Sequence, residues 1–133
     1  MALITKSRYG LIAVNNDVLK NIVSKSMSEM DGLVFPCNRR GLVYKRGFKG
    51  NDSRTFNSIE ISEDSHGISI EIYYVSKFGE SISDTASKLF DTIEYNIGVL
   101  RPEKHIKFTA HIKGVMAKQV VPRDITIIRG EHH

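Results

Sequence analysis

Ile68-Ser69-Ile70-Glu71-Ile72-Tyr73-Tyr74 is the stretch whose reading decides the fold. Ile68, Ile70, Ile72 and Tyr74 alternate with Ser69, Glu71 and Tyr73. Successive side chains of a strand point to opposite faces, so this pattern predicts a strand with one face on a core and the other on water. Just upstream, Ile59 and Ile61 alternate with Ser58, Glu60 and Ser62, and Glu63 to Gly67 supplies turn residues between the two runs. Together they predict an antiparallel hairpin. Downstream, Phe78-Gly79 breaks the alternation, and Ser81 with Asp84 three residues later resembles a capping box. Ile82, Ala86, Leu89, Phe90, Ile93 and Ile97 then fall on one helical stripe, which Gly98 is placed to close in a left-handed conformation. A last long strand follows, with Ile106, Phe108, Ala110 and Ile112 alternating with His105, Lys107, Thr109, His111 and Lys113.

On the N-terminal side, Tyr9 to Val14 reads as a short strand. Asn15 and Asn16 offer an N-cap and Asp17 suits the positive end of the helix dipole. Val18, Leu19, Ile22, Val23, Ser26, Met27 and Met30 form an apolar stripe, with Asn21, Ser24, Lys25 and Ser28 facing away, until Asp31-Gly32 ends the helix. Leu33 to Phe35 is extended and closed by Pro36. The expected order is β-α-β, a hairpin, then α-β. One-sided strands need one cover, so the predicted class is α+β in two layers, with two helices on one face of a small, mainly antiparallel sheet. Residues 1–115 are expected to form a single domain with a basic loop inserted at 38–56. Residues 116–133 read as a C-terminal tail in which Ile125 to Ile128 adds an edge strand and Glu131-His132-His133 reads as a cloning scar.

The 133 residues are 41% hydrophobic and 26% charged with 3 prolines, which excludes disordered and collagen-like classes. No apolar run reaches the ~18 residues of a membrane span, and the N-terminus lacks a signal-peptide core, so a cytoplasmic address is expected. A single cysteine, Cys37, rules out an internal disulfide and reads as structural. The net charge of +4 is uneven. Between Asn38 and Phe56, six cations stand against Asp52 alone, a surplus of +5, so the rest of the chain sums to −1.

No phosphate loop, nucleophile elbow or zinc-protease helix is present. Glu60, Glu63, Asp64 and Glu71 read as solvated carboxylates, and His105 and His111 lie roughly 20 Å apart along one strand, too far to share a metal ion. No catalytic, cofactor-binding or metal-ligating residue is therefore assigned, and the chain is not expected to be an enzyme. The candidate interaction loop comprises Arg39, Arg40, Tyr44, Lys45, Arg46, Phe48, Lys49 and Arg54. Cations interleaved with aromatics suit an anionic membrane surface, or alternatively RNA, where the aromatics stack on unpaired bases. A second candidate contact is the polar sheet row with Tyr73, Lys107, His111 and Lys113, whose mixed chemistry suits a protein partner or a second copy of the chain.

Several short motifs carry a resemblance through their order and spacing. Tyr9-Gly10-Leu11-Ile12 precedes the asparagine cap and the first helix, and Asp31-Gly32-Leu33-Val34 follows that helix. Ile70 to Val75 leads into Phe78-Gly79, then a helix, then His111-Ile112-Lys113-Gly114-Val115. From about Arg8 to Val115 the chain resembles the alkaline-shock/Gls envelope stress response family of Gram-positive bacteria. The insertion at 38–56 replaces a usually shorter Gly-rich connection, and the second helix lacks the family's Pro and Val-rich start. The resemblance implies a small non-enzymatic cytoplasmic protein of cell-envelope homeostasis, held at the inner face of the membrane through a membrane-anchored partner. It implies no catalytic residues.

Overall fold

The computed structural model describes residues 3–7, 10–14, 16–30, 32–43, 57–64, 67–98 and 105–130. Its elements in order are β1 (Leu3–Ser7), β2 (Gly10–Val14), α1 (Asn16–Glu29), β3 (Val34–Pro36), β4 (Ile59–Asp64), β5 (Gly67–Lys77), α2 (Ile82–Gly98), β6 (His105–Met116) and β7 (Val120–Arg129). The class is α+β. β1 and β2 pair antiparallel, Leu3 with Val14 and Ser7 with Gly10, in a two-stranded sheet of their own. This corrects the expected order, which missed β1 and counted the first strand with the main sheet. Alternation identifies a strand but not its partner.

The remaining five strands form one mixed sheet. The expected hairpin is present, with Ile59 opposite Ile72 and Ile61 opposite Ile70 across β4 and β5. β3 continues along the same edge of β5, Val34 opposite Ser76 and Pro36 opposite Tyr74. On the other edge β6 runs parallel to β5, with Ile70 beside Phe108 and Tyr73 beside His111. The mainly antiparallel expectation thus gives way at the centre of the sheet. A strand that returns after a 17-residue helix re-enters from the same end, which makes the pair parallel. β7 then pairs antiparallel with β6, longer than the edge strand expected at 125–128.

One buried cluster unites alternate residues of the sheet with both helices. Ile68, Ile70, Ile72 and Tyr74 of β5 and Phe108, Ala110 and Ile112 of β6 meet Leu19, Val23, Met27 and Met30, and Ala86, Leu89, Phe90, Ile93 and Ile97. The α2 stripe follows the sequence pattern, and its Ser81 hydroxyl accepts the Asp84 N–H at 3.2 Å. In α1 two residues depart from it: Val18 is exposed and Ser24 is buried. Ser26 belongs to the buried side because its hydroxyl donates to the Ile22 carbonyl and accepts from Asn96 Nδ2, both at 2.8 Å, joining the two helices. Gly98 stays helical rather than closing α2 in a left-handed conformation. Arg129 of β7 ties the sheet to α2, donating to Asp91 at 2.6 Å, Glu94 at 3.1 Å and the Ser87 carbonyl at 3.2 Å, over the Phe90 ring.

Candidate functional site

Tyr73 sits where two strands meet end to end on the edge of β5. Its N–H donates to the Ser58 carbonyl at 2.8 Å and its carbonyl accepts from Cys37 N–H at 3.1 Å. The chain therefore leaves the sheet at Cys37 and comes back at Ser58 on either side of one residue, and the basic segment lies between those two points.

Its first residues form a tight turn. Asn38 Oδ1 accepts the Arg40 N–H at 2.9 Å and the Leu42 N–H at 3.0 Å, and the Asn38 carbonyl accepts Gly41 N–H at 3.0 Å. An asparagine that mimics a backbone turn in this way, followed by glycine, is a local turn device. Gly41 has φ of 88° and lies so close to β6 that a Cβ there would stand 3.3 Å from Lys113 Cβ. Left-handed backbone and close approach both favour glycine. Val43 bridges back to Cys37.

This turn brings the two candidate sets together. Arg39 pairs with Glu60 of β4, and its guanidinium carbon lies 6.0 Å from the centre of the Tyr73 ring. The His111 ring stacks on Tyr73, centroids 4.5 Å apart at 13°, and its Nε2–H donates to Glu71 at 2.8 Å. Glu60 and Glu71 stand directly opposite each other across β4 and β5. Like charges in that position repel; the Arg39 guanidinium neutralises Glu60, and His111 occupies Glu71 with a hydrogen bond. Lys113 pairs with Asp124 of β7 at 3.3 Å. Lys107 lies on the same strand, beside Ser69, with no ion pair among the described residues. Arg40 is exposed. Tyr44, Lys45, Arg46, Phe48, Lys49 and Arg54 lie outside the described residues.

Two expectations about this row change. Thr109, on the polar side of the β6 alternation, is buried, and Glu60 is salt-bridged to Arg39 and Glu71 hydrogen-bonded to His111 rather than simply solvated. Cys37 is fully buried, and burial pushes its thiol up to about 12, with the Lys113 ammonium pulling weakly the other way. A thiol held protonated is a poor nucleophile or metal ligand. Among the described residues no three His, Cys, Asp or Glu side chains group as a metal site. The sequence reading missed the parts played by Glu60, Glu71 and Asp124. Only the Asn38-Arg39-Arg40-Gly41 turn signature could have shown that the segment begins as an ordered structure.

Residues 5–117, most of the chain and all of the main sheet up to the β6–β7 turn, match the family model described as having a cell envelope-related function. The chain belongs to the alkaline shock protein family. An uncharacterised protein of Streptococcus pyogenes serotype M6 is similar to this family member, 23% identical over 117 residues that cover 84% of this chain and 88% of that protein. No solved structure matches significantly. The alkaline shock protein described here therefore has a cell envelope-related function. No helix among its described residues is long and apolar enough to cross a membrane.

Proposed function

We propose that this protein is a non-enzymatic interaction module acting at the inner, cytoplasmic face of the cell envelope. Both helices cover one face of the mixed sheet, and the other face, with the basic segment rooted on it, contacts a membrane-anchored partner protein. The observation that carries this reading is the closure of the basic segment on Tyr73. A segment whose two ends bond to one residue is an addition to the sheet, and its cations can serve a partner at little cost to the fold. Among the described residues, His111 is engaged by Glu71 at Nε2 and by the Tyr73 ring, and Cys37 lies in the interior. The family's envelope-related function supports the address.

The test is co-sedimentation of the full chain with membranes isolated from the cells that produce it. Binding is expected to disappear when the membranes are treated with protease, and to fall sharply when Arg39, Arg40 and Lys45 are all changed to Glu. Binding that survives both treatments removes this reading. Co-purification with RNA in place of membranes replaces it with the nucleic-acid one.

A further inference from the structure

We infer that this protein also has a lipid-facing rim at one end of its sheet, which touches an anionic bilayer directly. The inference rests on the envelope address proposed above but concerns a different surface and a different ligand.

Two turns meet at that end. The turn after β5 and the 117–119 turn between β6 and β7 lie side by side, because Phe78 N–H donates to the Met116 carbonyl at 2.9 Å and Lys77 pairs with Met116. Phe78 is 66% exposed, and Val121, paired with Val115 just inside the second turn, is 37% exposed. Exposed apolar side chains scattered over a surface need no explanation, but Phe78 stands on the first turn, Val121 lies at the start of β7 beside the second, and Lys77, Lys118 and Arg123 of the same segments are exposed. Of the nearby acids, Glu80 is exposed, and Asp124 is already taken by Lys113. The rim therefore carries an exposed aromatic ring on one turn and an exposed lysine on the other, with Lys77, Lys118 and Arg123 outnumbering Glu80.

That pattern fits a bilayer better than a protein groove. An exposed ring on a turn can enter the headgroup layer, where aromatic rings are favoured, while each nearby Lys or Arg gains from anionic lipid. One such ring and a few cations give a reversible, peripheral attachment rather than insertion.

Flotation of the purified full chain with phosphatidylcholine vesicles, with and without phosphatidylglycerol, tests the rim. Binding is expected only with phosphatidylglycerol, and to weaken as salt screens the charges. Phe78→Ser is expected to weaken it about tenfold. Lys77→Gln and Lys118→Gln are each expected to weaken it about fivefold. All three positions are exposed, so melting temperatures serve as a folding control and are expected to stay unchanged. The Arg39→Glu, Arg40→Glu, Lys45→Glu variant keeps its rim and is expected to keep most of its vesicle binding. No binding to protein-free vesicles overturns the rim while leaving the partner reading intact. Unchanged binding by a Phe78→Ser, Val121→Ser double variant also overturns it, as does loss of vesicle binding in the loop variant alone. Vesicle binding with no dependence on membrane proteins in the cell-derived membranes supports the rim and removes the partner reading.

Discussion

Tyr74 and Cys37 show opposite uses of burial at adjoining positions of the sheet. Tyr74 is fully buried and its hydroxyl has no hydrogen-bond partner among the described residues. An unpaired buried hydroxyl costs free energy, so deleting it removes a penalty. Tyr74→Phe is expected to leave stability within about 0.5 kcal/mol of the wild type or to raise it, read as the urea midpoint. Cys37 is kept neutral, its thiol raised from 9.0 to about 12 by burial. As pH rises past 9.0 the unfolded chain gives up this proton first, so it binds fewer protons than the folded one. Stability therefore falls with rising pH from there until the folded thiol also ionises. Burial likewise raises the Tyr74 phenol above its ordinary value, which adds to the fall with the same sign. Urea midpoints across the alkaline range are expected to decline less steeply in Cys37→Ala than in the wild type. Below pH 8, the folded protein is expected to resist thiol-modifying reagents that label the urea-unfolded chain.

At the scale of elements, the main sheet is complete without the basic segment. Replacing residues 39–56 by a short glycine linker is expected to move the melting temperature by only a few degrees, because loop-closure entropy changes slowly with length. What the linker loses is Arg39, and with it the neutralisation of Glu60 opposite Glu71. Changing Glu60 to Gln in the shortened chain is expected to recover part of any loss, worth roughly 0.2–1 kcal/mol for such a cross-strand pair. The contact between α2 and the sheet is more demanding. Leu89 is fully buried in the shared core, and Leu89→Ala is expected to cost about 2–5 kcal/mol in denaturant unfolding. Arg129→Ala is expected to cost about 1 kcal/mol, since its ion pairs with Asp91 and Glu94 are partly exposed and screened.

For the whole molecule, charge and fold are divided between different parts. The segment from Asn38 to Phe56 holds a surplus of +5, while the remainder sums to −1. Attachment through that segment is therefore expected to weaken steeply with ionic strength, since exposed charges are screened over about 8–10 Å at physiological salt. Folding is not. Membrane co-sedimentation measured beside thermal unfolding over one salt series is expected to separate the two, with the first lost and the second nearly flat. Parallel loss of both would place the basic segment inside the cooperative fold.

The sequence by itself determined the elements and their buried sides. A strand repeats every 2 residues and a helix every 3.6, so Ile68 to Tyr74 and Ile82 to Ile97 declare both their type and their inward face through local covalent geometry. The family was legible for the same reason, since its motifs are ordered local segments. Direction and partnership were not legible. Alternation in β5 and β6 is the same whether they run parallel or antiparallel, and only the path of α2 between them decides it. β2 reads as a strand of the main sheet yet pairs with β1, which the sequence reading did not find. The candidate site depended on tertiary structure more than any other feature. Arg39, Glu60, Tyr73 and His111 span 73 positions of the chain, and nothing local to any of them specifies the others. They meet because β4 and β3 share one edge of β5 while β6 takes the other, which brings a loop root, two carboxylates and a histidine around a single tyrosine ring.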